Sequence, residues 1–234
     1  MKSLPYLSKL ATMMYVANWS LPHLSFVTTH LGQFMHDPSP LANEMIDDVI
    51  VFAYAHRNAT IIKYAPSPSV PSRYPSQQRT AFHEMYGLHG WTDASWQLRS
   101  IGGLILFLAG GPVDWGAKLI RVICHSSAEA EIGAACRAGK RSVFITEFLA
   151  QFKITSKHPV VMFVDNSAAI DLSNKLGVGT RTAHFLRWQH YFRYLVLHQF
   201  VLPIFVTTKE QLADIMTKVL DISTTTSAMN VLYG

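Results

Sequence analysis

Residues 89 to 96 read HGWTDASW, a strand-like run that sets Asp93 among aromatic, glycine and small residues. A buried ionised carboxylate is costly unless it is paired or bound to a metal. Asp93 therefore needs either partners from elsewhere in the chain or a local role in a turn or bulge. Three other acids stand where they could supply that company. Asp165 ends the apolar run VVMFVD, just before a helix opening with Asn and Ser, where a carboxylate can also act as a cap. Glu131 lies in SSAEAEIGAACRAGK, with Ala128, Ala135 and Ala138 at helical spacing around it, a small-residue stripe suited to lying on a sheet. Glu129 projects from nearly the opposite side, so only one of the two can face a given site. Asp214, in EQLADIMTK, reads on its own as a solvated helical residue.

Converging these acids requires elements that end at a common place. Beyond residue 80 the apolar period is that of strands in LHGWTDASW, SIGGLILFLAG and VDWGAK, with tight connections that favour an antiparallel meander. A long helical stretch from Ser126 to about Phe152 follows, then the run VVMFVD, a helix from Asn166 and another from about Thr182. The run FVLPIFV and a final helix including EQLADIMTK complete the pattern. Strands alternating with helices imply parallel pairs with helices covering the sheet. Upstream, Leu7, Leu10, Met14 and Ala17 form one amphipathic stripe, Leu24, Val27, Leu31 and Phe34 a second, and Leu41, Met45, Val49 and Phe52 a third. These helices fill residues 3 to 57, and YAPSPSVPSRYPSQQRT reads as an extended Pro/Ser-rich linker over 64–80.

The chain has 234 residues, 49% of them hydrophobic, enough for a sizeable core. Its net charge of +5 suits an anionic partner without demanding one. Cys124 and Cys136 make neither a disulfide framework nor paired zinc ligands, which fits a reducing compartment. No apolar stretch reaches the ~20 residues of a membrane span. The start, MKSLPYLSKLATMMYVA, has the look of a signal peptide, but the helical segment it opens explains it better.

The segments TDASW, GGPVDW, SSAEAE, VDNSAA and EQLADIMTK, in this order, resemble the ribonuclease H domain of copia-type retrotransposon Pol polyproteins. The resemblance covers roughly residues 88 to 219, and LPHLSFVTTHLGQFMHDP is similar to the helical segment that follows the polymerase palm in those polyproteins. It implies an α/β, ribonuclease H-like mixed five-stranded sheet flanked by helices: three antiparallel strands, then two parallel ones. Residues 1–63 would be the C-terminal helical part of a reverse transcriptase, 64–80 a linker, 81–219 the ribonuclease H-like domain and 220–234 a C-terminal tail. Asp93, Glu131, Asp165 and Asp214 fall on the catalytic, metal-binding positions.

The resemblance further implies cleavage of the RNA strand of RNA–DNA hybrids with two Mg²⁺ ions, or Mn²⁺ in their place. Such ions lie about 3.5 to 4 Å apart and serve the attacking water and the departing oxygen. Without them, two carboxylates 4 Å apart repel by about 4 kcal/mol at an effective dielectric near 20, so the cluster must bind cations or keep protons. Arg181, Arg187 and Arg193, with Trp188 and Tyr191, are the candidate contacts to the hybrid. A partner polymerase region, no membrane, and an intracellular or virus-like-particle location follow from the same resemblance.

Departures from the family fall on substrate contacts. The connection after TDASW is shorter than in most relatives, which carry extra acidic and basic residues before the stretch that here reads RSIGG, and RTAHFLRWQH lacks a lysine and an acid of the usual pattern. VTTKEQ has no replacement for the mobile histidine of cellular relatives, and there is no YxDD polymerase motif. A noncatalytic nucleic-acid-binding or polymerase-supporting module is therefore the competing expectation.

Overall fold

The computed structural model describes residues 5–58, 60–64, 87–155, 159–174 and 186–233. The expected linker lies outside the described residues except for Tyr64, and so does Arg181.

The strand-like runs form one sheet from β1 (His89–Ala94), β2 (Ile101–Leu108), β3 (Gly111–Leu119), β4 (Val160–Val164) and β5 (Val201–Phe205). The order is β3-β2-β1-β4-β5. β1 pairs antiparallel with β2, and β2 with β3, while β1–β4 and β4–β5 are parallel. This is the mixed five-stranded α/β sheet, three antiparallel strands followed by two parallel ones, that the motifs lead one to expect. β5 carries Pro203, whose missing N–H is tolerated at a sheet edge.

Both sheet faces are buried, because strand side chains alternate between two apolar clusters. Trp91, Ile105, Phe107, Val161 and Phe163 point to one face. Leu104, Leu106, Met162 and Val164 point to the other, where they meet α4 (Ser127–Gln151) through Ala135 and Ala138, and α6 (Leu186–Leu197) through Phe192 and Leu195. The alanine stripe of α4 thus lies on the sheet as its spacing indicates. Ser126 starts this helix by accepting a hydrogen bond from the Glu129 N–H at 3.2 Å. The short α5 (Ser167–Asn174) follows β4.

On the Trp91 face lie the N-terminal helices α1 (Tyr6–Trp19), α2 (Ser25–Leu31) and α3 (Pro40–Ala55), and the last helix, α7 (Ile222–Tyr233). Residues 220–234, set apart as a tail in the sequence reading, mostly form α7, whose Ala228, Leu232 and Tyr233 enter the core beside Trp91 and Phe163. The N-terminal helices also pack on one another, but their phase differs from the expected stripes. α1 buries Tyr6, Leu10, Met13 and Ala17, and α3 buries Ala42, Ile46, Val49 and Ala53, whereas Leu7 and Leu41 are exposed. Apolar residues flank each stripe on both sides, so period alone leaves the rotation of these helices open.

Polar contacts tie the helical segment to the sheet. The Trp115 indole N–H donates to the Ala17 carbonyl at 2.8 Å, and the Thr29 hydroxyl to the Ala117 carbonyl at 3.2 Å. His23 Nδ1 lies 2.5 Å from the Tyr233 hydroxyl. Burial, aided by His56, lowers the His23 pKa to about 4, so at neutral pH the ring is uncharged and Nδ1 can accept the tyrosine proton. Replacing Tyr233 by Phe leaves that nitrogen buried without a donor. Tyr233→Phe is expected to cost about 1–3 kcal/mol in urea denaturation, with little change in the sheet's far-UV signature.

Candidate metal centre

The parallel register pairs Trp91 with Phe163, and two residues further along it sets Asp165 opposite Asp93. Both side chains fall on the Trp91 face because two residues are one full strand period. Asp165 sits directly after β4 and does not cap α5: the Asn166 side chain does, accepting from the Ala169 N–H at 3.0 Å. Asp93 is 1% exposed, in the central strand.

Asp214 arrives from a different kind of element than expected. EQLADIMTK reads as a helix, but the structure has two 3₁₀ turns, Thr208–Glu210 and Leu212–Met216, separated by an extended Gln211. The Gln211 amide donates to the Thr92 carbonyl at 3.0 Å, and its oxygen accepts from the Ala213 N–H at 3.2 Å. A long-range bond to the strand thus replaces the helical bond at this point. The second turn can lie flat on β2 because residue 103, the antiparallel partner of Asp93, is a glycine. A Cβ there would fall 2.5 Å from Met216 Cβ.

One oxygen from each of Asp93, Asp165 and Asp214 lies within 4.8 Å of the other two. Glu131 stands beside this triad rather than within it. Its Oε1 accepts from the Ala94 N–H at 3.1 Å, while Oε2 is buried without a hydrogen-bond partner. The helix phase read from the alanine stripe holds: Glu129 turns away and accepts from the His125 N–H at 2.7 Å.

The charges respond as crowded acids should. Burial, then the charges of Asp93 and Asp165, push Glu131 well above the usual carboxylate range. Burial also raises Asp165, and Asp93 adds to it. Asp214 is pushed up to about 6, by burial above all and by Asp93 and Asp165, with Lys218 opposing. Lys218 Nζ lies 2.8 Å from Asp214 Oδ1 and 3.5 Å from Asp93 Oδ2. Burial works against that ammonium, yet the three aspartates together hold its pKa above the ordinary value. The Thr217 hydroxyl donates to Asp93, and the Thr208 hydroxyl reaches Asp165 at 3.4 Å. Gln211, Thr217 and Lys218 were not singled out from sequence, although all three belong to the motif that carries Asp214.

The donor set fits hard divalent cations, which take oxygen ligands: three carboxylates share a small volume, and a fourth offers a buried, unpartnered oxygen.

The expected nucleic-acid contacts are divided. Arg187 is exposed, and Trp188 and Tyr191 are partly buried on α6. Arg193 is 5% exposed, and its Nη2 donates to the Leu172 carbonyl at 3.2 Å. Gln189, one turn earlier, donates to the same carbonyl, so this face of α6 is committed to α5 and Arg193 is not displayed to a substrate.

Curated transposon proteins align with almost the whole chain. The retrovirus-related Pol polyprotein from transposon RE2 of Arabidopsis thaliana is 27% identical over 220 residues, 91% of this chain and 14% of that protein. The corresponding polyprotein from transposon TNT 1-94 of Nicotiana tabacum is 25% identical over 224 residues, 94% of this chain and 15% of that protein. The chain is homologous to transposon Pol polyproteins. It spans about one seventh of the length of these relatives. No protein-family model matches it. Among solved structures, it is similar to the N-terminal RNase H domain of a Mycobacterium tuberculosis protein, with a TM-score of 0.43 and 10% identity over 61% of this chain and 96% of that one. It is also similar to LC11-RNase H1 in complex with an RNA/DNA hybrid, with a TM-score of 0.41 and 13% identity over 56% of this chain and 93% of that one. None of the described helices is long and apolar enough to cross a membrane.

Two outcomes follow from this geometry. A group whose pKa is raised by folding stabilises the fold fully below its unfolded value, and that contribution is lost as pH rises through the folded one. For Asp214 the window runs from 3.8 to about 6. In EDTA, urea denaturation should show a loss of ~1–2 kcal/mol across it from this group, after allowance for solvent screening. Asp214→Asn should flatten that part of the profile; an unchanged slope would mean another group carries it. Gly103→Ala should displace the turn bearing Asp214, costing about 1–3 kcal/mol of stability and weakening Mn²⁺ binding measured by calorimetry.

Proposed function

We propose that this chain is a ribonuclease H-type hydrolase that cleaves the RNA strand of RNA–DNA hybrids, as part of a copia-type retrotransposon Pol polyprotein. The observation that carries the reading is the convergence of Asp93, Asp165 and Asp214, with Glu131 beside Asp93, at one edge of the sheet. Four acids from four separate elements, held together against their own repulsion, have a physical purpose if they hold cations. Bound there, two Mg²⁺ ions would supply a nucleophilic water and neutralise the departing oxygen, and Mn²⁺ could replace them.

The protein's own part is to hold and place. Thr217 fixes the Asp93 carboxylate, the Ala94 N–H fixes one Glu131 oxygen, and Gln211 docks the Asp214 turn on β1. Lys218 offsets part of the cluster's negative charge and remains close enough to meet a phosphate oxygen brought to it. Arg187, Trp188 and Tyr191 are the contacts to the hybrid that we retain from the sequence reading, with Arg181 a further candidate outside the described residues. A polymerase region is the natural partner of the N-terminal helices, whose Leu7, Tyr15, Trp19 and Tyr54 are exposed apolar side chains.

Lys218 also favours a second reading, since its ammonium already sits on Asp93 and Asp214 as a cation would. A module that has exchanged metal for lysine would bind nucleic acid without cutting it. Incubation of a labelled hybrid with and without Mg²⁺ separates the two. Asp93→Asn, nearly isosteric but lacking a ligand charge, should lower cleavage by at least ~10²-fold, about 2.7 kcal/mol in the barrier. Hybrid binding in Ca²⁺ should persist, because phosphate contacts are a separate, salt-sensitive attraction. Binding without cleavage in either Mg²⁺ or Mn²⁺ would establish the noncatalytic module.

A further inference from the structure

A groove of about 390 Å³ runs along α4, between Trp188 of α6 and the end of β3. Lys118 and Arg121 stand on its β3 side, and Arg137 and Lys140 rise from α4. None of the described residues that line it is acidic. Lys118, Arg121 and Lys140 are exposed, and none of the three has a carboxylate within ion-pair distance among the described residues. The nearby Asp114 is already engaged by Arg141, at 2.6 Å.

The groove is built rather than incidental. The Arg137 guanidinium is tied to the Gly102 carbonyl at 3.1 Å and to the Gly116 carbonyl, bracing the helix against β2 and β3. The Trp188 ring closes down on residue 133, where a Cβ would come within 2.9 Å of it, so a glycine in the second turn of α4 admits the wall. Lys140 Nζ lies 4.8 Å from the centre of the Tyr191 ring, which holds this cation on the groove's far side. Gly102 of the floor is the register partner of Ala94, whose N–H binds Glu131. A helical rise of ~1.5 Å per residue puts Arg137 and Lys140 about 9 and 14 Å along α4 from Glu131. At about 3.4 Å of axial length per nucleotide, that corresponds to roughly three to four nucleotides.

We propose that this groove holds the sugar–phosphate backbone of one nucleic-acid strand on its way to or from the carboxylates, with Lys118, Arg121 and Lys140 as its phosphate contacts. It rests on the proposed function for the nature of the occupant. It moves the main electrostatic hold away from α6, where Arg193 is buried, to α4 and β3. Several unpaired cations lined along a trough match a repeating anion, and an aromatic wall with a glycine beneath it accommodates a sugar or base edge.

The test measures binding of an RNA–DNA hybrid across a salt series, in Ca²⁺ and in the Asp93→Asn background so that nothing is cut. The combined Lys118→Ala, Arg121→Ala and Lys140→Ala variant should bind at least ~10-fold more weakly near 0.1 M salt, with the slope of log K against log salt reduced by about 2 to 3. Lys118→Arg with Lys140→Arg should retain affinity, and Arg57→Ala with Lys153→Ala, outside the groove, should leave the slope unchanged. Thermal unfolding of each variant checks the fold; if the triple substitution unfolds, the single reversal Lys118→Glu carries the same expectation at smaller size. An unchanged slope in a folded groove variant overturns the proposal, as does failure of the parent protein to bind hybrid. Loss of binding in the groove variant, alongside a wild-type chain that never cleaves, would leave the groove standing and remove the hydrolase reading. Cleaving wild-type protein with an indifferent groove would do the reverse.

Discussion

Parallel pairing of β1 with β4 puts the carboxyl ends of both strands at one edge of the sheet, and there Asp93 and Asp165 face each other. Like charges held this close in a buried place repel by several kcal/mol at the dielectric of a protein interior. The chain accepts that repulsion and surrounds it with devices that contain it. Thr217 donates to Asp93, the Lys218 ammonium lies against Asp214 and Asp93, and Asp214 and Glu131 are driven toward their protonated forms. The strands cannot separate to relieve the strain, because β1 is buried on both faces.

The two sheet faces share the task unequally. The Trp91 face receives the 3₁₀ turn with Asp214, and the α7 core packs next to it. The opposite face receives α4, whose Glu131 reaches round the end of β1 to the Ala94 N–H. A site assembled from both layers depends on the packing of both, so a fault in either cluster reaches the carboxylates. The N-terminal helices join this arrangement through Trp115, Thr29 and the His23–Tyr233 pair. They connect to the layer that positions Asp214 rather than hanging from the sheet as a separate appendage.

Much of this was legible in the chain itself. The strand-like segments after residue 80 marked all five strands: three by the apolar period of the meander, and β4 and β5 as short apolar runs between helical stretches, since a strand buried on both faces is apolar throughout. The alanine stripe chose Glu131 over Glu129, since helical neighbours at i+4 and i+7 share a face and small residues there permit contact with a sheet. The apolar run ending in Asp165 fixed that acid at the end of its strand.

What lay beyond the sequence has one physical cause: local patterns record neighbours within a turn or two, and the remaining decisions are made by residues far apart. Thr217 and Asp93 are 124 positions apart, and Gln211 and Thr92 are 119. No periodicity announces either bond, yet the second converts an apparent helix into two 3₁₀ turns and aims Asp214. Arg193 reads as a displayed cation on an amphipathic helix until α5 comes to lie against it and the Leu172 carbonyl takes its proton donor. The rotation of α1 and α3 was open for the same reason, with apolar residues on more than one side and only tertiary packing to choose among them. The sequence determined which elements form and which acids could meet; the tertiary structure decided which side chains hold those acids in place and which cations stay free, because hydrogen bonds and burial between distant segments leave no local trace.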